Sequence, residues 1–312
     1  AGGVNEYVAR FPSALAAIVL AFGVYISYRL LDIADLSCEG TITLGASAAA
    51  LLIWRGAHPA LALLAAFAAG LAAGCITGLL HTLLRIPAIL AGILTMISCY
   101  SVNIHIMSAA TGTAGTANLS LINYQSGTLF TQLKQLLGLG KQDAALVFGA
   151  VFTGLLIAAI YWFFGTEAGC AIRATGDNEK MCRAAGINTD AAKVIGLALS
   201  NGLIALAGAL LCQYQGYADV NMGVGAIVIG LASIIIGEAL CGRIINFALR
   251  LLFVALGSVA YRVVVAVVIY SGMPSTDLKL LTAAVVVAAL TLTSFGPRAG
   301  RRYRRKVGVP HA

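Results

Sequence analysis

Long apolar stretches separated by short polar breaks run through the whole chain. Residues 12–31, 59–84, 87–109, 143–165, 192–214, 246–270 and 276–294 each form such a stretch, and two more, 41–54 and 225–240, are shorter. None alternates with period two, so the pattern predicts helices rather than strands. A helix of about 20 residues rises roughly 30 Å, the thickness of a bilayer's hydrocarbon core. Backbone groups find no water there and must bond to one another, which leaves helices or a closed barrel. The pattern predicts an all-α polytopic membrane protein with about nine spans in one transmembrane domain, residues 1–312. The first stretch has no small-residue cleavage site behind it and reads as a retained span, not a signal peptide.

The longest polar break, 110–142, carries a helical stripe of Leu129, Phe130, Leu133, Leu136 and Leu137 that ends at Gly138. This predicts an amphipathic helix on the extracytoplasmic surface. Packing onto the bundle is its plainer role; a ledge for an extracytoplasmic partner is the sharper one.

Composition agrees with the pattern. The chain is 60% hydrophobic and only 10% charged, where a soluble domain carries about a quarter charged residues. A net charge of +8 raises nucleic acid as a partner. The positive residues, however, cluster in short breaks and at the end of the chain, which is how membrane orientation is written. Arg29, Arg85, Arg173, Lys180, Arg183, Lys193, Arg243 and the tail residues Arg301, Arg302, Arg304, Arg305 and Lys306 fall on one side of nine alternating spans. That side is then cytoplasmic, the N-terminus lies outside, and the basic tail, 296–312, is an orientation signal and weak anchor to anionic lipid. The bilayer, and not nucleic acid, is the expected surroundings. The seven cysteines are scattered without CxxC or Cys/His ligand spacing, so neither disulfides nor a metal site is expected.

The two short spans share an irregularity. "ADLSCEGTITLGA", from Ala34, precedes the first, and "ADVNMGVGAIVIGLA", from Ala218, opens the second. Both begin Ala-Asp-aliphatic-Ser/Asn, and both carry glycines five apart, Gly40 with Gly45 and Gly225 with Gly230. The span count puts the first on the cytoplasmic side and the second on the outer side, the mark of an inverted repeat with a broken helix in each half. A charge at mid-membrane costs roughly 2.5–3.5 kcal/mol. Asp35, Glu39 and Asp219 therefore either line a wet translocation pathway, with Ser37 and Asn221, or serve as ordinary N-caps at the membrane surface. In the fourth span, "SCYSVNIHIMS" places Tyr100, Asn103 and Met107 on one helical face with His105 off it. Tyr100 and Asn103 are pathway candidates too, and interhelical hydrogen bonding is their commoner role.

One polar island interrupts the apolar chain, with Arg173, Asp177, Glu179, Lys180, Arg183, Asp190 and Lys193 between Ile172 and Val194. Inserting these seven charges in lipid would cost roughly 20 kcal/mol, so residues 172–191 lie in water. Asp177 is a candidate N-cap for two turns from Asn178 to Ala185, with Glu179 favourable to the dipole, Gly186 as the residue past the C-terminal end, and Asn188, Thr189 and Asp190 capping the next span. The apolar face would be Met181, Ala184, Ala185 and Ile187, which suits either a groove on a partner or a tuck against the bundle.

"G..IRATGDNEKMCRAAGIN" followed by "GLALSNGLIALAGALL" resembles the ribose-type and branched-chain amino-acid-type ABC importer permeases. "LLDIADLSCEGTITLGA" and "TGLLHTLLRIPAILAGILTM" are more similar to a subgroup associated with aromatic amino acids such as tryptophan or tyrosine. The chain departs from that subgroup at His105, where Arg is expected, and at Cys38-Glu39, where Val-Asp is expected. The resemblance implies that Asp177, Asn178, Glu179, Lys180, Met181, Arg183, Ala184, Ala185, Gly186 and Ile187 form a coupling helix for a cytoplasmic ATPase. It further implies a homodimer of this chain with two ATP-binding subunits and an extracytoplasmic binding protein or lipoprotein, in a bacterial inner membrane, importing a small solute by alternating access. This chain would hold no cofactor, with ATP and Mg on the ATPase; it has no GxxxxGK[ST], and "GLGK" at 138–141 lacks the Ser/Thr. An ion-coupled secondary transporter is the alternative, since broken helices bearing acids suit it as well. An intramembrane enzyme using Ser47, His58, His81 or His105 lacks any nucleophile elbow or metal spacing.

Overall fold

The computed structural model describes residues 11–121, 128–129, 141–241 and 246–270, with isolated positions 280, 283, 284, 287 and 291. Apart from those isolated positions, the ninth expected span lies outside the described residues, as do the body of the amphipathic stripe from Phe130 to Gly138, Arg243 and the basic tail.

Helix α1 (Phe11–Val24) widens into a six-residue π-helix, Tyr25–Leu30. There follow α2 (Cys38–Trp54), α3 (Pro59–Thr82), α4 (Ala88–Thr111), strand β1 (Asn118–Ser120), α5 (Lys141–Gly165), α6 (Glu167–Asp177) and α7 (Glu179–Ala184). Helix α8 (Thr189–Gln215), strand β2 (Tyr217–Asp219), α9 (Ala226–Cys241) and α10 (Phe247–Tyr270) complete the described order. Among the described residues, five helices are long and apolar enough to cross a membrane, with mean hydropathy between 1.7 and 2.1, and Ala14–Leu30, Cys38–Trp54 and Ala226–Cys241 are shorter apolar helices. The two short spans thus stand where the sequence placed them. Helix α6 is additional: Thr166 caps it through a bond from the Gly169 amide, 3.4 Å, and only its second half, from Ile172, falls in the stretch read from sequence as a water-exposed island.

Helix α8 is the centre of the bundle, buried on nearly every side from Leu203 to Leu210. Its sequence explains the position, because small residues let neighbouring backbones close in where two apolar helices have only packing to hold them. A Cβ at Gly45 of α2 would overlap the Ala205 carbonyl, and one at Gly208 would overlap that of Ile42. Helix α3 lies antiparallel on the other side, with Gln213 donating to the Pro59 carbonyl at one end (3.2 Å) and Gly78 against Val194 at the other. β1 pairs antiparallel with β2 in the register Asn118↔Asp219, Leu119↔Ala218, Ser120↔Tyr217, fastening the chain after α4 to the link between α8 and α9.

Candidate functional site

Two short helices meet head to head inside the bundle. Helix α2 starts beside Asn201, near the middle of α8: the Ser37 and Thr41 hydroxyls donate to Asn201 Oδ1 at 3.0 and 2.8 Å. From there α2 leads to Pro59, at the end where α8 finishes. Helix α9 runs the other way. Gly230 packs on Val24, and Glu238 pairs with Arg29 of the π-helix, at the end where Leu31 packs on Gly196 early in α8. Where the two begin, Glu39 Oε1 accepts from the Gly225 amide at 3.0 Å, and Thr43 Oγ1 donates to the Val220 carbonyl at 3.4 Å. Unbonded amides and aligned dipoles make both N-termini partly positive, so a carboxylate is well placed between them.

The turns that open the two helices are built alike. Asp35 Oδ1 accepts from the Ser37 amide at 2.9 Å, and its Oδ2 accepts from the Asn201 amide group at 2.7 Å. Asp219 Oδ1 accepts from the Asn221 amide at 2.8 Å, and its Oδ2 accepts from the Asn118 amide group at 3.1 Å. Each Asp closes a turn onto the amide two residues on and takes an Asn donor from a distant element. The inverted repeat read from "ADLS" and "ADVN" is therefore repeated in hydrogen bonds. Asp35 lies against Gly92, one turn into α4, and Asp219 pairs with the strand beyond that helix's other end, so the two turns sit at opposite ends of α4.

The expected pathway residues separate into two groups. Asp35, Ser37 and Asn103 are buried and occupied within the bundle; Asn103 donates to the Gly40 carbonyl at 3.2 Å and accepts from Ser47 at 3.4 Å. Asn221 is exposed and Asp219 half-buried. Tyr100 does not join Asn103 and Met107 inside: those two are buried, and Tyr100 is 50% exposed on the outer side of α4. Its neighbours on that side are Ser101 and His105, whose Nδ1 donates to the Ser101 carbonyl at 2.8 Å. The residue missed from sequence is Asn201, one amide in a run of Leu, Ala and Gly, which serves α2 and Asp35 together.

The second candidate site is the island. Asn178, not Asp177, caps α7, its Oδ1 accepting from the Met181 amide at 3.1 Å; Asp177 is the last residue of α6. The shift has a plain cause: α6 continues through Asp177, and the extended backbone that an N-cap requires falls on Asn178. Gly186 takes a left-handed φ of +81°, and Asn188 caps α8 by accepting from the Ala191 amide at 3.1 Å. Glu179 accepts from Lys193 at 2.7 Å and Arg183 at 3.0 Å, and Arg183 also reaches Asp190 at 2.9 Å. The hydrogen bond from Lys193 is the main reason the Glu179 carboxyl titrates below its ordinary range. These ties hold α7 against the start of α8. Cys182 points inward, while Met181 is 66% exposed and Lys180, Ala184 and Ala185 are exposed with it. Ile187 is half-buried. Beside α7 lies a cavity of about 500 Å³ lined by Arg183, Asp190 and Lys193 on one side and His81, Arg85 and Pro87 on the other.

Residues 11–292 match the family described as branched-chain amino acid transport system, permease component. The chain belongs to this permease family, and it is the membrane-spanning permease subunit of an ATP-binding-cassette importer. It is 37% identical over 287 residues to a tyrosine transport system permease protein of Clostridioides difficile, covering 92% of this chain and 91% of that one. An uncharacterised protein of Rickettsia prowazekii is 31% identical, covering 92% and 98%. The autoinducer 2 import system permease protein LsrC of Escherichia coli is 28% identical, covering 73% and 62%. No solved structure matched the chain. The family makes this a multi-pass membrane protein that works with ATPase and substrate-binding partners.

Proposed function

We propose that this chain imports an α-amino acid of the tyrosine type across a bacterial inner membrane, driven by two ATPase subunits that grip α7. One observation carries the coupling part. A two-turn helix, capped at its start, ended by a left-handed glycine and braced by Glu179, Arg183, Lys193 and Asp190, presents Met181 and two alanines to solvent. A loop that only joined two spans would need none of this bracing. Met and Ala on a rigid helix suit a groove. Lys180, Met181, Ala184, Ala185 and Ile187 face the ATPase in this reading, and Asn178, Glu179, Arg183 and Gly186 hold their shape. ATP and Mg bind the ATPase subunits, and this chain hydrolyses nothing. Helix α7 and the basic tail are then cytoplasmic.

The chain pairs with a second copy along α4. That helix packs on α2 and α3 and leaves Tyr100, Ser101 and His105 exposed in the middle of a span. Polar side chains facing lipid are costly, so this side faces protein or a wet path. Of the pathway candidates, Tyr100 and Asn221 are exposed and free to meet solute, half-buried Glu39 holds the Gly225 amide where the two helices begin, and Asp35, Ser37, Asn103 and Asp219 hold the two turns in place. The aromatic amino acid follows the tyrosine named for the Clostridioides relative. An extracytoplasmic binding protein delivers it, and the spans rock between inward and outward states as ATP closes the ATPase pair.

The test is uptake of radiolabelled tyrosine by proteoliposomes holding the chain, its ATPase and its binding protein. Uptake that needs ATP and is lost when the ATPase is omitted supports the reading. Uptake by the chain alone, driven by an ion gradient, overturns it.

A further inference from the structure

The short helix α6 stands between α7 and the spans, and each of its turns touches a different one. Gly169 lies against Phe163 and Phe164 at the end of α5. Ile172 is fully buried and packs at Gly196 of α8. The Arg173 guanidinium sits 4.9 Å above the Phe247 ring, where α10 begins. Gly176 rests on the last residue of the π-helix: a Cβ there would overlap the Leu30 oxygen and come within 2.9 Å of Leu31 Cα. Leu31 opens the stretch that leads through the Asp35 turn into α2, and Arg29, one residue before Leu30, is paired with Glu238 of α9. One contact thus lies on the lead into α2 and, through that pair, beside the last turn of α9. Next to it, the buried Thr175 hydroxyl has no hydrogen-bond partner among the described residues, a cost specific to this conformation.

We propose that α6 is the element that carries ATPase motion to the half-helices, with Gly176 on Leu30 as its point of transfer. The proposal rests on α7 being the docking helix. Movement of α7 displaces α6. Gly176 passes the displacement to Leu30–Leu31, whence it reaches α2 through the Asp35 turn and α9 through the Arg29–Glu238 pair. Gly176, Arg29 and Glu238 are positioning residues in this scheme and touch no solute. Backbone-to-backbone contact suits the role, because a side chain would give way where a carbonyl does not.

The experiment uses the complete complex of chain, ATPase and binding protein in proteoliposomes, with Val224→Cys, at an exposed position just before α9 that has no part in the pathway, as the reporter. Its maleimide labelling is read by mass spectrometry with and without ATP. We expect ATP to change the labelling rate about tenfold in the parent and less than about twofold after Gly176→Ala, with ATPase still co-purifying and hydrolysing. Glu238→Gln, a change at an exposed pair that leaves folding intact, should reduce the ATP response in the same way, and exchanging the charges as Arg29→Glu with Glu238→Arg should restore it. A full ATP response in Gly176→Ala, or in Glu238→Gln should the glycine variant not fold, overturns the proposal, as does a parent complex with no ATP response. Met181→Glu tests the docking reading separately: if ATPase still co-purifies with that variant, the docking helix is misassigned whatever Gly176→Ala shows.

Discussion

The Asp35 and Asp219 turns share a bonding scheme and differ in surroundings. Asp35 is 4% exposed, and its amide donor, Asn201, comes from the centre of the bundle. Asp219 is half-buried at the end of the molecule, and its donor, Asn118, is exposed on a three-residue strand. The same motif in the two halves therefore does two jobs. Inside, every oxygen is spoken for in a medium where an unmade bond is expensive, so the turn fixes the start of α2. At the rim, water can replace either partner, so the turn is free to open and close. An inverted repeat need not give symmetric behaviour, because burial decides how firmly each copy is held.

The largest effect should come from Asp35→Asn. The new amide would point one donor at another on Asn201, and we expect about 2–4 kcal/mol of destabilisation, seen as a lower melting temperature in detergent. A double-mutant cycle between Asp35 and Asn201 should give a coupling of about 1.5–3 kcal/mol. The matching cycle between Asp219 and Asn118 should give no more than about 0.5 kcal/mol, and equal couplings in the two cycles would remove the contrast. Asp219→Asn should accordingly leave melting nearly unchanged and alter uptake instead. The smallest effect concerns a third acid. Glu179 is held below its ordinary value of 4.5, mainly by Lys193, so its contribution is full above that value in the unfolded chain and is lost as pH falls through the lower folded one. Acidifying through that window should loosen α7 in the parent and have less effect in Glu179→Gln, with the difference shrinking in high salt.

The spans were legible because length and apolarity alone decide whether a helix can cross lipid. Cap chemistry around 178–190 was legible to within one residue, since Asp177 and Asn178 are equally good caps and only the reach of α6 selects between them. Helix α6 was hidden because "EAGCAIRATGD" is mildly polar and holds two glycines. Its helicity comes from packing against several spans, which local propensity does not record. The exposure of Tyr100, beside buried Asn103 and Met107, was not legible because a helical wheel says which residues share a face and not which faces have neighbours. Asn201 was passed over because a lone amide in an apolar run gives no hint of what it meets across the bundle. The meeting of Glu39 with Gly225 needed the fold, since 186 positions separate them.

The wide turn at Tyr25–Leu30 has a mechanical consequence. A π-turn closes its bonds five residues apart, as Leu31 does onto Ile26 at 3.0 Å, and so holds one residue more than an α-turn in the same space. That spare residue is slack in the line. The segment leading to the Asp35 turn can be drawn out by about 1.5 Å, one residue's helical rise, while the upper part of α1 stays anchored in its bed of Leu, Ile and Phe.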